Sequence, residues 1–168
     1  MSKRELKKYI VNLTKNQLEE QILDLYNRFK NVKDFYDFAF NPKEDKLLEE
    51  CKFKISKEYF PVNGRKAKMR RSTAHKYIRQ FKLLGVESSI IADVMLYNIE
   101  IAQTYSSEHY IKQESFYLSI FKSYDEAIGF LRENRLLNEF KTRIDKIVDE
   151  CYRQNWFNKN GFQQLAEF

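Results

Sequence analysis

Glycine and proline are scarce, with four and two residues in a chain of 168, where ordinary usage is about 7% and 5%. An all-β fold needs turn residues roughly every 8–12 positions, and this chain cannot supply them. The four glycines are isolated, which excludes a glycine-rich phosphate loop. Two cysteines, Cys51 and Cys151, lie outside any Cys-x-x-Cys or Cys/His cluster. They read as reduced thiols in a reducing compartment. Two histidines, His75 and His109, without a Glu-x-x-His pair, exclude the di-iron bundle signature and leave no metal-ligand set. No Ser/His/Asp arrangement surrounds Ser72 or Thr73. No catalytic residue, metal or cofactor is therefore expected. Long apolar runs are also missing. The most apolar window, Ile90 to Ala102, carries Asp93, Asn98 and Glu100 and is too short to span a bilayer. The charged start MSKRELKK reaches no apolar core of a signal peptide. A cytoplasmic protein with no membrane contact is expected.

What is present is the material of helices. Apolar residues make up 43% and aromatics 15%, enough for one core in a single domain of this length. Ser2 with Glu5 and Thr14 with Gln17 have capping-box spacing, each followed by apolar residues at helical period. They predict a helix-turn-helix over residues 1–30. Val32 to Phe40 is a short aromatic segment. Asn41-Pro42, followed by Glu44 and Asp45, starts a helix that ends near Phe60-Pro61, and Pro61 to Gly64 is a turn. A helix then runs through Tyr77, Ile78, Phe81 and Leu84 to Gly85, a C′ residue. Ser88 or Ser89 caps the next, Ile90 to Tyr105, which is apolar nearly all round and so belongs at the buried centre. Ser123 with Glu126 gives a third capping box, and a last long helix carries Phe140 to Tyr152. Residues 158–168 read as a short tail. The expectation is an all-α domain, 1–168, of seven to eight helices, a stack of helix hairpins being one arrangement.

Charge is concentrated. Lys52 to Lys82 holds eleven Lys and Arg against one acid, Glu58, a net +10, while the other 19 bases and 23 acids sum to −4. A clustered positive field attracts polyanions or an acidic protein face. In the first case Arg65, Lys66, Lys68, Arg70, Arg71, Lys76 and Arg79 contact phosphates, and Tyr59, Phe60, His75, Tyr77 and Phe81 stack bases where exposed. The alternative is a solvated or internally paired face. Asp93, Tyr97, Glu100 and Thr104 share one face of the most apolar helix, and carboxylates there need partners. Arg70, Arg71 and His75, in the preceding element, are the nearest supply in sequence. The same residues could instead line a polar pocket for a substrate or ligand.

The phrases SKRELKKYI, LTKNQLEEQILDLYNRF, KFKISKEYFP, KMRRSTAHKYIRQF and VMLYNIEIAQTYS resemble a family of small bacterial proteins of unknown function, over roughly residues 2 to 130. The resemblance implies a cytoplasmic, single-domain helical protein and brings no activity. The sequence favours a non-catalytic binding or adaptor protein that uses Lys52–Lys82 to contact nucleic acid or an acidic protein. The rival is an enzyme or small-ligand binder with a pocket around Asp93, Glu100 and Arg70/Arg71.

Overall fold

The computed structural model describes residues 2–62 and 64–167, and every regular element among them is an α-helix. There are nine among the described residues, against the seven or eight expected: α1 (Lys3–Val11), α2 (Lys15–Arg28), α3 (Lys30–Phe40), α4 (Glu44–Tyr59), α5 (Arg71–Leu84), α6 (Ser88–Glu108), α7 (Glu114–Glu133), α8 (Leu137–Arg153) and α9 (Lys159–Ala166). None of them is long and apolar enough to cross a membrane. The chain divides into two compact units, residues 1–43 and 44–168.

The first unit contains α1 to α3. Both expected capping boxes form: the Ser2 and Thr14 hydroxyls accept from the amides of Glu5 and Gln17, whose side chains accept from the cap amides in return. Phe29, in extended conformation, ends α2 and begins α3. The aromatic segment thus becomes a helix of its own, with Tyr26 donating to Asp37 across the α2–α3 pair at 2.7 Å. None of the three helices has a buried residue.

The second unit holds the core. As expected, α6 is its centre: Ile91, Ala92, Val94, Met95, Leu96, Ile99 and Ala102 are buried on successive turns, and α4, α5, α7 and α8 all pack on it. Full burial of a large aliphatic side chain is worth about 1.5–3 kcal/mol, and among the described helices α6 buries more apolar side chains than any other. Gly85 stops α5 in the left-handed region, φ 73°. The amide of Val86 then returns to the carbonyl of Phe81 at 3.1 Å, a Schellman closure that suits glycine. Asn63, within the expected Pro61–Gly64 turn, lies outside the described residues.

Three local expectations are replaced. Ser123 does not cap a helix: α7 runs unbroken through it, its hydroxyl bonds back to the Ser119 carbonyl, and Glu126 faces α5 instead. Ser88 begins α6 without capping it and donates to Asn134 at 2.9 Å. Within the expected tail, 158–168, Lys159–Ala166 form α9, which packs on α7 and α8. There Phe162 is fully buried among Phe121, Tyr124 and Trp156, with ring centroids 4.7–5.6 Å apart. A tail reading fails there because Asn160-Gly161, a turn signal by composition, falls inside a helix whose apolar face has a partner.

Candidate functional site

The one acid of the basic segment organises it. Glu58 sits at the end of α4, nearly buried, and accepts both Nε and a terminal nitrogen of Arg70 at 2.9 and 2.8 Å. Thr73 donates its hydroxyl to the same carboxylate at 2.9 Å. The Glu58 carbonyl receives the amides of Lys68 and Met69, both at 2.9 Å. The Arg70 guanidinium holds the carboxyl below its usual range against the effect of burial, and Thr73 adds to it. Glu58 is therefore the post to which residues 68–73 are tied, with Met69 bent into positive φ at 49° to make the connection. On the outside of this knot, Lys57, Arg65, Lys66, Lys68 and Arg70 line one cleft of about 190 Å³ with Pro61 and Val62. Arg65, Lys66 and Lys68 are exposed. Phe53 lies exposed nearby on α4, with the Lys57 ammonium 4.1 Å from its ring centre.

The rest of the expected anion set lies elsewhere. Arg71 gives Nε to His75 Nε2 at 2.5 Å and a terminal nitrogen to Glu126 on α7 at 2.9 Å. Burial, then the neighbouring Arg71 charge, lowers the His75 pKa, so the ring stays neutral and accepts at Nε2. Lys76 is on the exposed side of α5. Arg79 belongs to a different cleft, between α5 and α7.

Asp93 and Glu100 do find cationic partners, but not the ones expected. Arg143 of α8 bonds the Asp93 carboxylate at 2.6 Å and both oxygens of Glu100 at 2.5 and 2.8 Å. Lys52 of α4 reaches Asp93 at 2.6 Å and lies 5.3 Å from the ring centre of Tyr97. Arg70 and Arg71 are consumed by Glu58 and Glu126, so the predicted Arg70/Arg71–Asp93/Glu100 network does not exist. Neither does the pocket built from those four residues. Adjacency in sequence misled, because α8, which arrives fifty positions later, packs on the same face of α6. A signal was available: Arg143 stands at helical spacing among Phe140, Ile144 and Ile147, a cation within an apolar stripe, which requires a buried or half-buried acid. Lys52 carried no such signal.

The stacking aromatics also divide. Tyr59 and Phe81 are core residues at 1% exposure. Phe60 packs edge-on against Tyr105, and Tyr77 against Phe81. His75 is held by Arg71. Of the aromatics near the basic cleft, it is Phe53, unmentioned by the sequence pattern, that is exposed, with the Lys57 ammonium over its ring. Cys51 and Cys151 are buried and unpaired, and burial pushes each thiol up to about 12. Among the described residues no three His, Cys, Asp or Glu side chains gather as a metal-binding set.

The chain belongs to the family of unknown function DUF6155, whose profile matches residues 1–168. No curated protein and no solved structure matches it significantly.

Proposed function

We propose that the protein is a non-catalytic, cytoplasmic binding protein of bacterial origin that grips nucleic-acid backbone through the α4–α5 connection. The observation that carries this is the placement around one cleft of Lys57, near the end of α4, with Arg65, Lys66 and Lys68, on the connection whose far end Glu58 ties down. Preordered cations lose less entropy on binding than cations on a free loop. The single acid in reach is already neutralised by Arg70, so it does not repel a phosphate. Phe53 offers a face for one unpaired base. The buried, unpaired thiols support a reducing setting. The bacterial assignment rests on the Lys-, Asn-, Tyr-, Phe- and Ile-rich composition that AT-rich bacterial genomes encode.

Counterion release makes the reading testable. Four phosphate contacts give a slope of log K against log salt near −3.6 on duplex, at about −0.9 per contact, and near −2.8 on single strands. Fluorescence anisotropy with random-sequence DNA and RNA at several salt concentrations measures it. Replacing Arg65, Lys66 and Lys68 by Ala removes about 2.7 of the duplex slope and leaves thermal unfolding unchanged. Absence of binding at low salt sinks the nucleic-acid reading and leaves an acidic protein partner as the use of this surface.

A further inference from the structure

Two of the four glycines sit inside helices, and they are there for opposite reasons. A Cβ built on Gly161 in α9 would lie 3.0 Å from the Phe121 ring, so close packing accounts for the missing side chain. A Cβ built on Gly129, in the middle of α7, would meet nothing within 4 Å. Glycine in a helix interior is unfavourable relative to alanine, and at Gly129 no neighbour in the fold requires it. What Gly129 borders is empty space: a cleft of about 480 Å³ between α5 and α7, floored by Met95 of α6. That size is in the range of small-molecule sites.

The walls of this cleft are chemically sorted. Ile78, Met95 and the half-exposed Phe130 give it an apolar interior. Lys82 holds its ammonium 4.6 Å from the Phe130 ring centre, and neither it nor Arg79 has an ion-pair partner among the described residues. Glu126, at one end, is already paired with Arg71. Glu133, on α7, is the other acid lining the cleft, and among the described residues it has no ion-pair partner. His75, also lining the cleft, accepts from Arg71 at Nε2. A neutral ring that accepts there carries its proton on Nδ1, a donor with no partner among the described residues.

We propose that the α5–α7 cleft over Gly129 binds a small amphipathic anion, a flat or apolar body bearing one carboxylate or phosphate. The body lies over Gly129 against Phe130 and Ile78, and Arg79 and Lys82 take the anionic group. The proposal goes beyond the nucleic-acid reading, since no residue of the Glu58-tied loop lines this cleft.

The test is a nitrogen-15 NMR titration of the full chain with phenyl phosphate, inorganic phosphate and benzylamine. Phenyl phosphate is expected to give saturable shifts at amides 75–82 and 126–133, and these persist in the Arg65→Ala/Lys66→Ala/Lys68→Ala variant. Inorganic phosphate, lacking the ring, binds at least about tenfold more weakly there, and benzylamine, with the charge reversed, does not bind. Arg79→Ala/Lys82→Ala weakens phenyl phosphate by about tenfold or more. Gly129→Leu, which fills the space, abolishes binding. Gly129→Ala, whose methyl enters the same open region, stays folded and keeps it within about threefold. No saturable shift at these amides by about 10 mM in the unaltered protein, weaker than a fragment achieves in a formed site, overturns the proposal. So does unchanged binding to Gly129→Leu, or equal binding of benzylamine. Loss of nucleic-acid binding in the loop variant leaves this titration untouched, so the two readings fail separately.

Discussion

A single residue, Glu58, changes the meaning of the basic segment. By sequence it is one acid among eleven bases, easily taken for a solvated counter-charge; in the structure it ties Arg70, Thr73 and two loop amides to the end of α4. Replacing it by Ala removes three side-chain hydrogen bonds to a charged group. A loss of about 2 kcal/mol is expected, since such bonds contribute roughly 1.5–3 kcal/mol and the freed Arg70 can turn to water. Urea unfolding measures it, and a change under a few tenths would show that the loop holds without its post. His75 makes a second residue-scale prediction, in pH. Its pKa is lowered by burial first and Arg71 next, with Glu126 opposing and Lys122 and Arg79 adding. The unfolded chain takes up that proton near pH 6.5, the folded chain lower. Stability from the neutral ring is therefore complete above about pH 6.5 and declines as pH falls from there through the folded value. Urea midpoints at pH 7.5 and 5.5 should differ more for the unaltered protein than for His75→Gln. None of this was legible beforehand: the residues were identified as charged and clustered, but their partners depend on which helices meet.

Helices themselves were legible, because periodicity and capping are local. Ser2–Glu5, Thr14–Gln17 and Gly85 act as their residue types imply, and α6 is central because a helix apolar on all sides has nowhere else to go. The misreadings share one cause. Ser123–Glu126 has the spacing of a cap, yet α7 runs through it, with the Ser123 hydroxyl turned back on its own helix and Glu126 answering to Arg71 of α5, and Asn160-Gly161 looks like a turn until Phe162 is seen filling a gap beside α7. Local chemistry proposes an element boundary, and packing overrides it where the apolar face continues. Gly129 and Gly161 let this be measured. Helix propensity alone gives Gly→Ala a gain of up to about 1 kcal/mol at either position. The open space at Gly129 permits that gain, while the Phe121 ring at 3.0 Å opposes it at Gly161. Thermal melts should place Gly129→Ala above the unaltered protein and Gly161→Ala at or below it. Equal gains at both would mean that the Phe121 ring moves aside freely.

At the scale of the whole chain, burial is divided as unevenly as charge. Among the described residues every buried hydrophobic one lies between Cys51 and Ala166, while Leu6, Tyr9, Ile22, Leu25, Phe29 and Phe35 of the first unit are exposed by about four-tenths or more. A unit of some forty residues whose helices bury no side chain gains little from the hydrophobic effect, and its sequence has no cysteine for a disulfide. Its helices rest on capping boxes, the Tyr26–Asp37 bond and intrahelical pairs such as Lys15–Glu19, contributions of about 0.3–1 kcal/mol each. Such a segment opens locally at low cost, whereas amides of α6 are released only when the core of the second unit comes apart. Hydrogen exchange followed by mass spectrometry should therefore show peptides from 3–40 exchanging early and as a group, and peptides from 91–103 last, approaching the global unfolding limit. The outcome also bears on what the first unit is for. Exchange of α2 and α3 as slow as that of α6 would contradict an uncovered apolar surface, because no set of caps and exposed ion pairs confers protection of that order. Slow exchange that becomes fast on dilution would trace the cover to a second copy of the chain, since only association depends on concentration.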